Sequence, residues 1–442
     1  MKNFILFLSI TLFFQACGEI EDGSSNTTSP PSSSSNSEEV ENNNNEEVTP
    51  PSTLTQTLNP ETMSRIEWKH SYQRTFRKYT VIDSDDNFYS LHLEDLPHRA
   101  VITKVDPEGS VIWKKSVKFN SKINLSYIYH GELKIDKKNN LYLVGSGHKR
   151  VDNQAPNNYF SKAFVIKFSS SGEKIWEHIE VSSIKTYGEA LVIDHNENVY
   201  FIGRDEQKNL SLIKLNKSGK KIMQKSYNSY PYDFLGKVDI ILSKDKESIY
   251  LLTYKNVLNL NDLSIIKTSL DGTEIWSKSY ETVAKFTLVN IVAFQEDNNG
   301  DIVVALNQRI ENQDNNMLFD IKLFKINSNG FKLWEALYGT DESDRVHYFT
   351  LDKKNNIFIT GYTKGAFDGF ENYTRRFDIF LSKISPEGDL LKTDQIKTFG
   401  VQASNPAGGN FIGFNKKNNL FLAGDRAISQ DLLSSSFLIK YQ

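Results

Sequence analysis

The sequence predicts an all-β fold, a seven-bladed β-propeller built from four-stranded blades. The first observation is a turn of five residues followed by an apolar strand, repeated most clearly at residues 136–140, 352–356 and 415–419. Looser copies begin at Asp83, Asp194, Ser243 and Gln295. A sub-motif that returns about every 50 residues is typical of a repeat architecture, in which each copy is one supersecondary unit.

The second observation is the composition of a single repeat, seen best in residues 79–117. Strand-like runs occupy residues 79–83, 88–93 and 100–105, and a fourth run begins at Val111. The Asp-Asp-Asn sequence at 85–87 favours a turn, because these side chains cap their own backbone and tolerate a left-handed conformation. Pro107 and Gly109 favour a second tight turn. Four short strands joined by turns predict one propeller blade.

The third observation is a glycine placed four residues before a large side chain. It precedes tryptophan in four copies, at Trp113, Trp176, Trp276 and Trp334. Met223 and Lys392 take the place of tryptophan in two further copies. A tight turn and a bulky anchor at fixed spacing predict an outer hairpin that packs on the next blade.

The two ends of the repeat region predict how the ring closes. The last copy stops at residues 437–441, its third strand, and an isolated run from Ile66 to Tyr72 precedes the first copy. We expect this N-terminal run to supply the missing strand of the last blade, because closure removes the exposed sheet edges. The propeller is therefore predicted to span residues 61–442.

One stretch of the repeats resembles a known family. From Tyr338 to Lys383 the chain carries Tyr-Gly-Thr, then Ile-Thr-Gly-Tyr-Thr ending at Thr363, then Gly-Ala-Phe-Asp-Gly ending at Gly369. This pattern resembles the SBBP seven-bladed β-propeller repeat, and weaker copies cover the remaining blades. The resemblance implies a bacterial envelope or extracellular protein, and it brings no catalytic residues to this chain.

The N-terminus predicts export and lipidation. Lys2 and Asn3 precede an apolar run from Phe4 to Phe14, which is too short to span a bilayer and is typical of a signal peptide, residues 1–16. A small residue, Ala16, precedes Cys17, the only cysteine, as in a lipoprotein processing site. We expect a membrane attachment through a lipid on Cys17, in the outer membrane of the bacterial envelope, with the side of that membrane left open.

Residues 17–60 are predicted to be a lipidated cysteine followed by a disordered tether. From Gly18 onward the segment holds eight acidic residues and no Lys or Arg, with almost no large apolar side chain. Such a composition cannot bury a core. As a flexible coil it would span roughly 35–40 Å. The remaining ring is only mildly basic, which argues against a nucleic-acid partner.

No catalytic motif of a hydrolase, nucleotide-binding enzyme or zinc protease occurs in the sequence. We therefore expect no enzyme activity, no cofactor and no metal. The acidic segments at Asp83 and Asp297 have oxygen-bearing side chains of the kind that calcium binds, but neither has the full loop with its closing glutamate. We interpret both segments as hairpin turns.

Connections of variable length predict where a ligand binds. The turns after the first and third strands are short, whereas the loops after the second and fourth strands are long and differ between blades; they define the long-loop face. The predicted loops include residues 146–162, 254–262, 307–318 and 362–376. The candidate ligand-binding residues are His130, Glu189, Arg345, His347, Tyr348, Tyr373, Arg375 and Arg376.

These observations predict a lipid-anchored, monomeric envelope protein whose propeller binds a protein or a glycan on the long-loop face. One alternative is a periplasmic scaffold for outer-membrane assembly. The second alternative is a polysaccharide-acting hydrolase or lyase, which would require carboxylates and a Tyr or His to meet near the channel. That alternative predicts convergence of Glu132, Glu189, Asp239 and His347.

Replacing Cys17 by Ala tests the predicted anchor. We expect the variant to lose incorporation of labelled palmitate and to leave the membrane fraction, because the chain has no other thiol. Metabolic labelling followed by cell fractionation measures both effects. Labelling of the variant at the level of the unaltered chain would contradict lipidation at Cys17.

Overall fold

The computed structural model describes fifteen segments of the chain, all within the compact unit Pro51–Gln442. They are residues 65–70, 75–93, 100–119, 127–150, 159–206, 209–227, 238–257, 260–281, 289–311, 317–367, 370, 377–396, 408–415, 418–427 and 434–441. Every helix or strand element in these segments is a β-strand. Cys17, the signal peptide and the tether lie outside the described residues.

Successive strands along the chain form four-stranded antiparallel sheets. The first three sheets contain β2 (Thr75–Ile82), β3 (Phe88–Leu93), β4 (Ala100–Val105) and β5 (Val111–Ser116); β6 (Tyr127–Ile135), β7 (Leu141–Arg150), β8 (Tyr159–Phe168) and β9 (Lys174–Ile179); and β10 (Thr186–Ile193), β11 (Val199–Asp205), β12 (Leu210–Leu215) and β13 (Lys221–Tyr227). The next three contain β14 (Asp239–Leu242), β15 (Ser248–Val257), β16 (Leu260–Ser269) and β17 (Glu274–Glu281); β18 (Val289–Glu296), β19 (Ile302–Glu311), β20 (Met317–Ile326) and β21 (Lys332–Tyr338); and β22 (Asp344–Leu351), β23 (Ile357–Thr363), β24 (Asp378–Ile384) and β25 (Leu390–Ile396).

The remaining sheet joins the two ends of the repeat region. It holds β26 (Gly408–Phe414), β27 (Leu420–Ala427), β28 (Ser434–Tyr441) and β1 (Arg65–His70). Strand β1 pairs antiparallel with β28, with Arg65 opposite Tyr441 and His70 opposite Ser436. The predicted pairing of the N-terminal strand is confirmed, and the described strand is Arg65–His70. Tyr72, the predicted end of this strand, lies outside the described residues.

The first strands of the sheets contact one another in chain order, from β2 through β6, β10, β14, β18 and β22 to β26, and β26 contacts β2. These first strands therefore form the inner edge of the fold. The all-β class and the propeller arrangement of four-stranded antiparallel blades are confirmed.

The core consists of apolar layers between neighbouring sheets. One cluster joins Tyr89 and Leu91 of one sheet to Leu133, Leu143 and Phe164 of the next, all less than 5% exposed. Alternate residues of a strand face opposite sides of its sheet. Each middle strand is therefore apolar on both sides, as the sequence predicts.

One copy shows which hydrogen bonds stabilise the repeated turn between the first and second strands. In the copy at Asp136, the Oδ1 atom accepts hydrogen bonds from the backbone N–H groups of Lys138 (2.9 Å) and Asn140 (2.8 Å). Asn139 adopts a φ of 62°, the left-handed region that asparagine tolerates. The Asn-Asn pair of the motif follows from this geometry.

The predicted start of the fifth copy of the turn, Gln295, was wrong. Its capping residue is Asp297, which accepts the N–H groups of Asn299 and Asp301, and not Gln295. Lys325 places its Nζ atom 2.7 Å from Asp297 Oδ2. In the first copy, Lys104 Nζ lies 3.2 Å from Asp83 Oδ2. A lysine thus neutralises each aspartate, which agrees with the interpretation of both segments as hairpin turns.

The tryptophan and glycine pattern marks contacts between blades. Trp113 donates its Nε1–H to the carbonyl of Ser170 (3.2 Å), in the turn that ends at Gly172. Gly172 has a φ of 79°, and a Cβ there would lie 3.0 Å from the Trp113 ring. Equivalent hydrogen bonds run from Trp176 to Lys217, from Trp276 to Ser328 and from Trp334 to Pro386. The predicted packing of each outer hairpin on the next blade is confirmed.

Several segments predicted as long loops are largely strand. Most of residues 254–262 belongs to β15 and β16, and residues 307–318 include the ends of β19 and β20. Within 146–162, β7 continues to Arg150 and β8 begins at Tyr159. The prediction of irregular loops was wrong here, because antiparallel hairpins keep satisfying backbone N–H and C=O groups beyond the compact blade.

Replacing Lys325 by Met tests the buried turn contacts. The substitution leaves the almost fully buried carboxylate of Asp297 without its cation, so we expect a loss of about 3 kcal/mol in unfolding free energy. The matched variant Lys332→Met removes an exposed lysine next to Glu335 and should cost less than about 1 kcal/mol. Denaturant unfolding measures both, and equal losses would contradict a special role for the buried pair.

Candidate functional site

Three charged or polar residues occupy the same position on three first strands. Glu132 of β6 pairs with Val144, Asp239 of β14 pairs with Leu252, and Tyr348 of β22 pairs with Thr360. The next residue on each strand, namely Leu133, Ile240 or Phe349, is buried in an apolar cluster. Because neighbouring residues on a strand face opposite ways, the three polar side chains lie away from these clusters. Tyr348 also packs against the apolar cluster of the next sheet, with its ring 5.5 Å from that of Phe411.

Lys134 connects the three residues electrostatically. Its Nζ atom lies 3.0 Å from Glu132 Oε1, and 36% of its side chain is accessible, so it borders open space rather than packed core. Burial by itself lowers the pKa of Lys134, but Glu132, Tyr348 and Asp239 together raise it above its ordinary value. The Oε2 atom of Glu132 also accepts the N–H of Leu191 (3.4 Å) on β10.

The strands that carry these residues belong to alternate sheets. Strand β6 is separated from β14 by the sheet of β10, and β14 is separated from β22 by the sheet of β18. Side chains from alternate sheets can influence one another only across the space that the first strands enclose. We call Glu132, Lys134, Asp239 and Tyr348 the central cluster.

A second group of polar residues lies where β10 begins and β11 ends, on the long-loop side. Arg204 Nε donates to Glu189 Oε1 (2.6 Å), and its guanidinium lies 5.2 Å from the centre of the Tyr187 ring. The His148 ring contacts Tyr187 edge-on, with centroids 6.4 Å apart. Tyr187 and Arg204 also border a cleft of about 260 Å³ whose further lining includes Glu180 and Lys221.

A third group lies at the start of β22. His347 Nδ1 is 3.1 Å from Asn410 Oδ1 on β26, and its ring meets Tyr362 at 5.1 Å. Arg345 stacks on Phe319, 3.7 Å from the ring centre. His347 and Asn410 both lie at β-bulges, where the register shifts by one residue. The bulges turn these side chains out of the regular alternation.

The predicted site residues are therefore divided among separate groups. Tyr348 belongs to the central cluster, Glu189 to the group around Arg204, and Arg345 and His347 to the start of β22. His130 lies on β6 opposite Ser146, but its side chain is outside the description. Tyr373, Arg375 and Arg376 lie outside the described residues.

The convergence required by the enzyme alternative is met only by part of its residues. Glu132 and Asp239 both act on Lys134, whereas Glu189 pairs with Arg204 and His347 with Asn410. Lys134 was missed as a site residue. The alternation of Glu132 and Lys134 on one side of a single strand was the signal that could have identified it.

Two absences concern the described residues alone. They contain no group of three or more His, Cys, Asp or Glu side chains suited to hold a metal ion. Nor does that part of the chain contain a helix long and apolar enough to cross a membrane.

The comparisons with known proteins show a similarity of fold and nothing beyond it. No family model matches the chain, and no curated protein matches it. Among solved structures, hydrazine synthase of Kuenenia stuttgartiensis is similar, with a TM-score of 0.50 and 9% identity over 81% of this chain and 96% of that one. The polysaccharide lyase Uly1 gives a TM-score of 0.48, with 10% identity over 83% of this chain and 90% of that one. A protein of unknown function from Bacteroides caccae gives 0.36, with 10% identity over 70% and 93%.

The imidazole of His148 provides a pH-dependent prediction. Burial, helped by the nearby charge of Lys185, lowers the pKa of His148 from 6.5 to about 4. Between these values the unfolded chain takes up a proton that the folded chain does not, so this group destabilises the fold as pH falls. We expect His148→Phe to gain unfolding free energy relative to the unaltered chain between pH 6.5 and 4. Denaturant unfolding at several pH values measures the difference, and a difference independent of pH would contradict a neutral buried His148.

Proposed function

We propose that the chain is a lipid-anchored envelope protein whose seven-bladed propeller binds a ligand through its centre and long-loop face. Closure into one ring is supported by the contact between β26 and β2. It is also supported by the hydrogen bond from Asn415 Nδ2 to Asp86 Oδ2 (2.8 Å), which joins the last repeat to the first. The anchor on Cys17 and membership of the SBBP family are part of the proposal and rest on the sequence.

The observation that carries the binding function is the central cluster. A lysine, two carboxylates and a phenol from alternate sheets surround one accessible space. They offer hydrogen-bond donors and acceptors with both signs of charge, which suits a ligand rich in hydroxyl groups. We therefore favour a glycan over a protein as the ligand class.

The rim residues support the same ligand class. Tyr187 and Arg204 border the cleft on the long-loop side, whose lining also includes Glu180 and Lys221. Aromatic rings beside hydrogen-bonding side chains can receive the apolar face of a sugar ring while its hydroxyl groups are paired. The cleft thus offers a second region of mixed charge and aromatic character on the long-loop side.

A polysaccharide-acting enzyme is the second candidate, favoured by a specific feature of the same cluster. Glu132 and Asp239 both lie close enough to Lys134 to raise its pKa, and Tyr348 acts on it as well. Two carboxylates near one reacting bond are what glycoside hydrolysis requires. The raised pKa keeps Lys134 protonated, so its role in such an enzyme would be to bind a negatively charged or hydroxyl group of the substrate and not to act as a base.

One experiment separates the two candidates. The purified chain and its Lys134→Met variant are applied to immobilised bacterial and algal polysaccharides, with Lys353→Met as a control of equal charge change on an exposed turn. We expect at least about a tenfold loss of retention for Lys134→Met, because a central hydrogen-bonded charge contact is removed, and no loss for Lys353→Met. New reducing ends or unsaturated products would favour the enzyme, and equal retention of both variants would contradict the central site.

A further inference from the structure

Two aspartates meet where β21 passes into β22, away from the central cluster. Asp320 lies on β20, Asp344 begins β22, and Gly339 directly follows β21. A Cβ atom on Gly339 would lie 2.6 Å from Asp320 Oδ1 and 3.0 Å from Asp344 Oδ2. The missing side chain of Gly339 therefore leaves one point that oxygens of both carboxylates approach closely.

Some of the buried oxygens of these residues lack hydrogen-bond partners. Asp344 is 0% exposed, and its Oδ2 accepts the N–H and the hydroxyl of Thr340 (2.6 and 2.9 Å). Thr363, opposite Asp344 on β23, also acts on this carboxylate, but the geometry of the Asp344 Oδ1 atom gives it no hydrogen bond. The Oδ1 of Asp320 is likewise buried and accepts none. Such groups cost free energy unless a partner satisfies them.

A third oxygen of this kind lies one strand away. Gln308 of β19 is directly opposite Asp320, so the two side chains share one side of the sheet. Gln308 is 8% exposed, and its Oε1 is also buried without a hydrogen-bond partner. The site thus has a neutral amide oxygen beside two carboxylates.

The buried aspartates of the hairpin turns show what this pair lacks. Asp83, Asp136 and Asp297 each lie within 4 Å of a lysine Nζ atom, at 3.2, 3.8 and 2.7 Å. In the described part of the chain, no lysine, arginine or histidine forms an ion pair with Asp320 or Asp344. Burial raises the pKa of each to about 6, and the charge of Asp344 adds to the rise at Asp320. The pair therefore lacks the compensating cation that each of the hairpin aspartates has.

We propose that Asp320 and Asp344 bind a divalent cation of the calcium type in the space beside Gly339, with the amide oxygen of Gln308 as a further ligand. Calcium takes six to eight oxygen ligands at about 2.3–2.6 Å, including carboxylates, amide oxygens, backbone carbonyls and waters. The carboxylate and amide oxygens have the right chemical type, and Asp320 Oδ1 and Asp344 Oδ2 both lie within 3.0 Å of one point. The cation would tie β20 to the start of β22 and so fasten one blade to the next.

Calcium titration of the full-length chain tests the proposal. After treatment with a chelator, calcium chloride is added, and binding is followed by calorimetry and by the melting temperature. We expect calcium to raise Tm by about 2 °C or more, because a ligand that binds only the folded state stabilises it. Asp320→Asn should weaken calcium binding at least tenfold. Gly339→Ala should also weaken it, because the added Cβ would lie 2.6 Å from Asp320 Oδ1 and would displace that carboxylate.

The change in Tm that Asp320→Asn causes in the absence of calcium distinguishes a cation site from a carboxylate pair that only stabilises the fold. In chelator, Asp320→Asn should melt at or above the temperature of the unaltered chain, because it removes a repelling charge. Glu108→Gln is the control, since it neutralises an exposed carboxylate on the turn between β4 and β5 and should keep the calcium response. An unaltered chain with no calcium-induced change in Tm would overturn the proposal, and a higher Tm below pH 6 would then indicate a proton shared by the two carboxylates.

Discussion

The contact on which the architecture depends is the hydrogen bond from an outer-strand aromatic residue to the glycine turn of the next sheet. Trp113, Trp176, Trp276 and Trp334 donate to these turns through Nε1. Tyr227, Tyr280 and Tyr338 donate through their hydroxyls to the carbonyls of Gly272, Gly330 and Gly388. Each glycine has a positive φ and lies directly against the neighbouring sheet, so the turn and the contact require the same residue. Ion pairs such as that between Lys115 and Glu173 add further contacts between an outer strand and the outer hairpin of the next sheet.

The hairpin turns and the candidate sites differ in how their buried charges are compensated. In the hairpin turns, an aspartate satisfies backbone N–H groups with one oxygen, and a lysine lies beside the other, as at Asp297 and Lys325. The lysine compensates the buried negative charge. At the centre, by contrast, Lys134 is surrounded by Glu132, Asp239 and Tyr348 and stays accessible. At Asp320 and Asp344 no described lysine is present, and buried oxygens remain without partners.

The repeated turn could be predicted from the sequence because its hydrogen bonds join residues that are close in the chain. Asp136, Asn139 and Asn140 interact almost entirely within one turn, so their spacing alone indicates the geometry. The extent of the long hairpins was not readable, because residues such as Tyr254 to Val257 have a polar, loop-like composition while their backbones still pair. The copy at Asp297 was displaced by two residues for a related reason, since Gln295 stands where the strand has not yet ended.

The sequence by itself determined the class of fold, the turn chemistry, the anchoring glycines and the pairing of the first strand with the last. These features depend on residues close in the chain or on a count of repeats, and both survive without knowledge of the tertiary structure. Only the tertiary structure decided that Asp239 and Tyr348 raise the pKa of Lys134, and that carboxylate oxygens of Asp320 and Asp344 approach one point beside Gly339. Both interactions join residues from different sheets, and the packing of the blades sets the distances. The periodicity of the sequence does not predict that packing.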